Sequence, residues 1–498
     1  MATEVELKLA LPQAAQRAFL KHPLLGTAQP LPARRLVNVY FDTPGLDLRR
    51  RGIALRTRRQ GRRWLQTVKC TGTASGGLSR RPEWEQPYAG RFDFSAIDDP
   101  ALRAMLERHR LGDSLQPVFE TIFVRRGWRL QPGRGNRVLL LLDRGRILAG
   151  GREEALSELE IELEAGEAEA LFEPALILAA DLPLAPAPLS KAERGYRLAE
   201  GAPLRPLRAA ASPLRPAQAP AEAFGAIAAA CLGQLQWNAQ GAVGDDSEFI
   251  HQMRVALRRL RSALRLFRPA LPADFEPAVV PSLRRLARAL GEARDWDVLA
   301  ETIVGPAASA FADDPRLAAL AAAVERRRQA ARADLRQALA EPGYALAVLD
   351  CQARLLRLAA DPAAPALREF AARRLRRLQR KVVGLAAAAR DLDPRRLHAL
   401  RIGVKRLRYA LEFLQPLHPD GSGKRLRRLA ALQDRLGALN DLAGAGPLLS
   451  RCLDDEPALR EAVSLVGGWH GPRYAVLRRQ TFRGIAELGK TRRFWKED

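Results

Sequence analysis

The sequence predicts a multidomain α+β chain: an N-terminal closed antiparallel β-barrel with flanking helices, then a C-terminal all-α helical bundle with an internal duplication. Three observations predict it. Strand-like runs crowd residues 1–200 and place charges on one face. From Phe224 onward Ala, Leu and Arg recur at helical spacing, and one basic helical pattern occurs twice.

The first strand, Glu4-Val5-Glu6-Leu7-Lys8, sets the pattern. Side chains alternate faces along a strand, so Glu4, Glu6 and Lys8 share one face and Val5, Leu7 and Leu9 the other. Arg56 and Arg58 repeat the arrangement, as do Glu83 and Glu85, and Glu158, Glu160, Glu162 and Glu164 stand opposite Leu159, Ile161 and Leu163. The runs 35–41, 52–59, 64–69, 83–88, 119–129, 137–143 and 158–163 suit strands. Helices are expected at 13–20, near 101–110 and near 167–180. Many short strands mean a sandwich or a barrel, and the charged faces select a barrel, because an aqueous interior holds ionic groups where a sandwich core does not.

Residues 201–222 are rich in Pro, Ala and Arg without apolar periodicity and read as a linker between domains at 1–200 and 223–490. Beyond it Pro269, Pro281, Pro394 and Pro416 mark expected helix breaks. In 250–268 the stripe Ile250, Met253, Leu257, Leu260, Leu264 and Phe267 is flanked by His251, Arg254, Arg258, Arg261, Arg265 and Arg268. The construction returns at 397–414, where His398, Arg401, Lys405 and Arg408 flank Leu397, Leu400, Val404, Leu407, Leu411 and Leu414. Glu412 stands where the first copy has Arg265. Each copy is followed by a related segment, Leu290-Gly291-Glu292-Ala293-Arg294-Asp295 and Leu436-Gly437-Ala438-Leu439-Asn440-Asp441, which marks a duplication.

The formal net charge of +25 over 498 residues favours a polyanionic partner. Guanidinium and ammonium groups neutralise phosphates. Readers of nucleic acid usually add aromatic platforms, and only Trp296 and Tyr409 lie near the two rails. A phosphate chain without bases is therefore the expected partner, and nucleic acid is not. Cys70, Cys231, Cys351 and Cys452 form no C-x-x-C pair, no secretory signal opens the chain, and no apolar run is long enough to span a bilayer. The expected location is the cytoplasm.

The N-terminal half resembles the CYTH domain, the triphosphate tunnel fold, in the branch similar to bacterial inorganic triphosphatases. The resemblance is carried by Glu4-x-Glu6-x-Lys8, Tyr40-Phe41-Asp42-Thr43, Gly52-Ile53-Ala54-Leu55-Arg56-x-Arg58, Thr67-Val68-Lys69 and Arg81-Pro82-Glu83-x-Glu85. It continues through Phe119-x-Thr121-x-Phe123-x-Arg125, Asp143-x-Gly145, the Glu158 to Leu163 run and Ser190-Lys191-Ala192-Glu193-Arg194-Gly195-Tyr196. The second half resembles the CHAD domain through His251-x-Met253-Arg254-Val255-x-x-Arg258-Arg259-Leu260-Arg261 and His398-x-x-Arg401-x-x-x-Lys405-Arg406-Leu407-Arg408.

The resemblance implies hydrolysis of inorganic triphosphate in a tunnel with Mg2+ or Mn2+, long-chain polyphosphate binding by the helical half, and with it association to polyphosphate granules. It implies metal binding by Glu4, Glu6, Glu160 and Glu162, and phosphate binding by Lys8, Arg56, Arg58, Lys69, Arg125 and Lys191. Glu83, Glu85, Asp143 and Glu158 are further tunnel acids. His251, Arg254, Arg258, Arg261, His398, Arg401, Lys405 and Arg408 are the expected polyphosphate contacts. Two other readings stand beside this one: a catalytically idle barrel on a polyphosphate-targeting protein, or a tunnel acting on an organic triphosphate such as thiamine triphosphate or ATP, including as an adenylate cyclase.

Overall fold

Eight strands close into a barrel. They are β1 (Ala2–Ala10), β2 (Gln29–Asp42), β3 (Ile53–Gln60), β4 (Arg63–Cys70), β6 (Leu78–Pro87), β7 (Gln116–Leu130), β8 (Arg137–Ala149) and β9 (Arg152–Ala165). The short strands β5 (Thr73–Ser75) and β10 (Ala185–Pro186) extend its edges. This computed structural model describes residues 2–75, 77–108, 114–133, 135–359, 361, 364–418 and 423–488. All pairings are antiparallel, in the order β1-β9-β8-β7-β2-β3-β4-β6 and back to β1. β1 makes the closure: Thr3, Glu4 and Val5 pair with β6, while Lys8 and Leu9 pair with β9.

The barrel inverts the usual polarity. Leu7 and Leu9 point outward and pack with Phe172, Ala175 and Leu178 of the helix Phe172–Asp181. On the opposite wall Leu48, Ile53, Leu55 and Val68 pack with Phe94, Ile97 and Leu106. Apolar residues thus face a helical coat, and the alternate positions face inward with their charges. Inside, Leu36, Phe123 and Leu156 form a small apolar cluster.

Several strands exceed their sequence-based bounds. β8 and β9 continue to Ala149 and Arg152 around Gly150-Gly151, whose φ values of 55° and 75° suit a two-residue hairpin turn. Helix forms at Pro100–Leu106, and the expected extension to Arg110 lies outside the described residues.

The segment Lys191–Glu200, not read as a helix from sequence, begins with a capping box. Ser190 Oγ accepts from Glu193 N at 3.2 Å, and Ser190 N donates to the Glu193 carboxylate at 2.7 Å. Gly195 lets this helix approach the barrel, since a Cβ there would sit 2.1 Å from the Phe119 ring. That ring cannot yield, because it stacks on Tyr40 (centroids 4.4 Å apart) and meets Tyr196 edge-on at 5.0 Å. Gly195→Ala is therefore expected to cost about 1–3 kcal/mol by overpacking. A denaturant midpoint equal to wild type would refute this.

The chain divides into two compact units, Met1–Pro206 with Leu339–Arg357, and Leu207–Ala338 with Leu358–Asp498. The helix Pro342–Leu356 belongs to the barrel unit although it lies within the helical stretch of sequence. Its Ala345, Leu349 and Ala353 complete the core around Phe172 and Leu178. Helix Pro220–Gly241 begins within the Pro/Ala/Arg-rich stretch, because Pro220 suits a first helical position and Glu222 reaches back to Ala219 N at 3.0 Å. Leu207 is pinned to the same helix by the Asn238 side chain, whose Oδ1 accepts from Leu207 N at 3.0 Å and whose Nδ2 donates to Leu207 O at 2.9 Å.

The rest of the second unit is helical: Ser247–Phe267, Phe275–Val298, Gly305–Ala310, Pro315–Ala340, Leu367–Ala388, Pro394–Leu414, Gly423–Asp455 and Arg460–Leu488. Pro281, expected as a break, lies inside Phe275–Val298. The helix runs through it because Val279, Leu283, Leu286 and Leu290 are buried on both sides, which offsets the hydrogen bond that proline removes. Among the described residues no helix is long and apolar enough to cross a membrane.

Candidate functional site

Register brings the inward charges into one cavity of about 420 Å³ inside the barrel. β1 sets Glu6 opposite Glu162 and Lys8 opposite Glu160 on β9; β4 sets Lys69 opposite Glu83 on β6. Lys191 enters from the capped helix. The residues expected to bind metal (Glu4, Glu6, Glu160, Glu162) and phosphate (Lys8, Arg56, Arg58, Lys69, Arg125, Lys191) all line this cavity, with Glu83 and Glu85. Asp143 and Glu158 are not on its wall. They are buried behind it, at 0% and 2% exposure, and hold its cations.

The acids divide into two clusters. Carboxylate oxygens of Glu4, Glu6 and Glu162 lie within 4.8 Å of one another, and so do those of Asp143, Glu158 and Glu160. Glu160 thus stands with the second set. In that set Asp143 accepts from Arg125 Nε and Nη2 at 2.8 and 2.7 Å and pairs with Lys191 at 2.7 Å. Glu160 pairs with Lys191 at 2.9 Å and also with Arg125. The Lys191 ammonium is held far above its usual range: burial opposes its charge, but Asp143, Glu158 and Glu160 outweigh it.

The first cluster is neutralised unevenly. Arg81 bridges Glu4 (2.8 Å) and Glu6 (2.6 Å), Lys69 holds Glu4 at 2.7 Å, and Lys8 holds Glu6 at 2.8 Å. Burial raises the Glu4 carboxyl, but Lys69 and Arg81 prevail and hold it well below the carboxylate range. Among the described residues Glu162 pairs with Arg125 alone, at 3.5 Å. Burial, then Glu160, Glu6 and Glu4, push it up to about 7. Three hard oxygen donors within 4.8 Å of one another, Glu162 the most weakly paired of them, form a donor set that fits Mg2+ or Mn2+.

Arg56 and Arg58 are the loosest cations. Their carboxylate partners, Glu83 and Glu85, stand 3.8 and 3.9 Å away, and Arg56 Nε is buried without a hydrogen-bond partner. Burial, Arg56 and Arg125 bring Arg58 down to about 10. A pair of cations desolvated beside each other is a seat for an anion.

The expectation from sequence omitted three contributors. Arg81 shares the inward face of β6 with Glu83 and Glu85, so strand alternation could have found it. Tyr40 accepts from Arg56 at 3.3 Å. Arg194 donates to Glu154 at 2.7 Å and to Glu158 at 3.2 Å, which only the fold reveals. Glu164 leaves the tunnel set and pairs with Arg129 at 2.7 Å.

The second unit carries the two rails. The helices Ser247–Phe267 and Pro394–Leu414 pack together, joined by Arg259, which bonds Glu412 at 2.5 Å and lies over the Phe413 ring at 4.8 Å. All six apolar stripe residues of the first helix are buried; in the second, Leu397 is only half-buried. The packing sets Arg254, Arg258, Arg401 and Lys405 against one another. Arg258 Nε is buried without a hydrogen-bond partner. The duplicated acids stand in this basic field: Arg254 pairs with Asp295 at 3.4 Å, and Arg401 is influenced by Asp441.

The two histidines differ. Burial and Arg294 push His251 down to about 4, so it is neutral near pH 7. His398 is exposed, with Nδ1 3.0 Å from Asn440 Oδ1. Trp296 and Tyr409 are 1% and 2% exposed and offer no stacking face.

Lys405 is brought down to about 7 by burial, then by Arg258, Arg401 and Arg254. Between pH 7 and 10.5 the unfolded chain holds this proton and the folded chain does not, so stability rises with pH across that window. A bound polyanion favours the charged form and reverses the shift. A polyanion placed against these groups would take up a proton above pH 7 and bind up to about tenfold more weakly per pH unit there. Calorimetry in buffers of different ionisation enthalpy checks this, and Lys405→Met should abolish the uptake.

Comparison with known proteins agrees with both halves. The CYTH domain model matches residues 2–196, and the CHAD domain model matches residues 226–450. Over 208 residues, 40% of its length, the chain is 32% identical to an inorganic triphosphatase of Haemophilus influenzae, and it covers 55% of that protein. It therefore spans about half the length of the curated relative it matches. The helical half is similar to the crystal structure of the CHAD domain from the plant Ricinus communis, at 36% identity and a TM-score of 0.53, over 58% of this chain and 98% of that one. A closed antiparallel barrel followed by a helical unit with these two matches means that the chain belongs to the proteins that join a CYTH domain to a CHAD domain.

Proposed function

We propose that the barrel hydrolyses inorganic triphosphate with a divalent cation, and that the rails of the helical unit bind long-chain polyphosphate. One observation carries the reading: a closed barrel gathers the Glu4, Glu6 and Glu162 cluster and seven cations (Lys8, Arg56, Arg58, Lys69, Arg81, Arg125, Lys191) around a single cavity, with Asp143 and Glu158 buried behind its wall. Glu4, Glu6 and Glu162 would hold the Mg2+ or Mn2+. Bound there, the ion would neutralise phosphate charge and polarise the scissile phosphoryl group.

The protein's own residues do the rest. Arg56 and Arg58, loosely paired, seat one end of the phosphate chain through charge-assisted hydrogen bonds. Arg125 and Lys191 are fixed by Asp143 and Glu158, so their charge is already aimed when negative charge grows on the phosphoryl oxygens. The cavity is too tightly held for a base clamp: Tyr40 is stacked on Phe119, and Phe123 lies under Arg125 and Lys191 at 5.8 and 5.1 Å. This favours an inorganic substrate over a nucleotide.

The test is phosphate release from tripolyphosphate, ATP and long-chain polyphosphate, with and without magnesium, in wild type and Glu4→Ala/Glu6→Ala. Metal-dependent release from tripolyphosphate that vanishes in the double variant is the expected result. No release from any substrate, with polyphosphate binding retained, would leave a targeting protein with an idle barrel.

A further inference from the structure

We propose that a groove beside the helix Leu367–Ala388 is a second seat for the same phosphate chain, engaged only by chains long enough to run past the end of the first rail; the inference rests on the rails binding polyphosphate. The groove, about 810 Å³, has the loop Pro269 to Pro272 as one wall. The other wall presents Arg373, Arg377 and Arg380, which at i, i+4 and i+7 share one helix face and are all exposed. Arg373 pairs with Glu369 at 3.4 Å between two exposed side chains, a contact that water screens.

Continuity with the rail is built into the packing. Arg374 donates to the carbonyls of Leu266 and Arg265, each at 2.8 Å, so the groove helix crosses at the end of the first rail. Between the rail centre and this crossing stand Arg261, Arg265, Arg284 and Arg406. Burial, Arg265 and Arg284 hold Arg261 down, and burial, Arg265 and Arg261 hold Arg406 down; no acid enters either balance. Basic charge therefore continues from Arg261 to the groove, whose lining also includes Asp361. Arg254 to Arg265 alone spans about 16 Å of helix, longer than a triphosphate. Phe370, the aromatic residue in the wall, is 5% exposed and stacked on Phe267 at 5.4 Å. Among the described residues the groove wall presents no ring to a base, which favours a phosphate chain over nucleic acid.

The experiment compares full-length wild type with Arg373→Gln/Arg377→Gln/Arg380→Gln, for long-chain polyphosphate and for tripolyphosphate, across a salt series. The substituted side chains are exposed, and an unchanged thermal midpoint verifies the fold. Long-chain affinity should fall about tenfold and its log–log salt slope should shrink by about 2, while tripolyphosphate binding stays at the wild-type level. Unchanged long-chain affinity and slope would overturn the second seat, as would equal weakening for tripolyphosphate. Tighter binding of single-stranded RNA than of polyphosphate, lost in the variant, would overturn the choice of ligand. Wild type that fails to bind long chains refutes the rail reading itself, before the variant enters.

Discussion

Glu6→Ala should lower turnover of tripolyphosphate by about 10²-fold or more, the scale of losing one preorganised electrostatic group. Glu6 is 1% exposed and holds two cations, Lys8 at 2.8 Å and Arg81 at 2.6 Å. Alanine removes one of three clustered donors and leaves those cations facing Glu4 and Glu160 instead. The effect should therefore appear in the magnesium dependence as well as in the rate. Steady-state kinetics over a magnesium titration provide the check: a higher magnesium requirement and a lower plateau are expected. A variant that keeps most of its turnover at every magnesium concentration would remove Glu6 from the donor set. Glu6→Gln, which keeps the shape, should share the defect if charge is what matters.

Asp143→Ala should destabilise the fold by about 3–5 kcal/mol, because it breaks a buried ion pair and leaves charge behind. Asp143 is fully buried and receives three contacts, two from Arg125 and one from Lys191. Water compensates neither cation fully, since the Arg125 and Lys191 side chains are only 17% and 7% exposed. The measurement is chemical denaturation of the full chain. A shift under about 1 kcal/mol would mean that Glu158 and Glu160 absorb both cations unaided. Because Asp143 lies off the cavity wall, a magnesium requirement equal to wild type would separate this positioning role from metal binding.

The inward face of β1 was legible because alternation is a local property: Glu4, Glu6 and Lys8 must share a side whatever the rest of the chain does. The same rule exposes Arg56 with Arg58 and Glu83 with Glu85, and applied to β6 it reaches Arg81. The rails were legible for a similar reason, since helical spacing fixes which residues share a stripe. Pro281 was misread because proline excludes one hydrogen bond, not a helix, and burial of Val279 and Leu283 decides the outcome. The helix Lys191–Glu200 went unread although Ser190 and Glu193 announce its start. The place of Pro342–Leu356 in the barrel unit depends on partners far away in sequence.

By itself, then, the sequence determined which charged side chains share a strand face and which helical stripes are basic, because periodicity and charge are written residue by residue. Only the tertiary structure decided which charges neutralise each other. It placed Glu160 with Asp143 and Glu158, left Glu162 short of cations, loosened Arg56 and Arg58, and set Lys405 among three arginines. Coulomb energy depends on distance and burial, and both are products of strand register and helix packing that no local pattern contains.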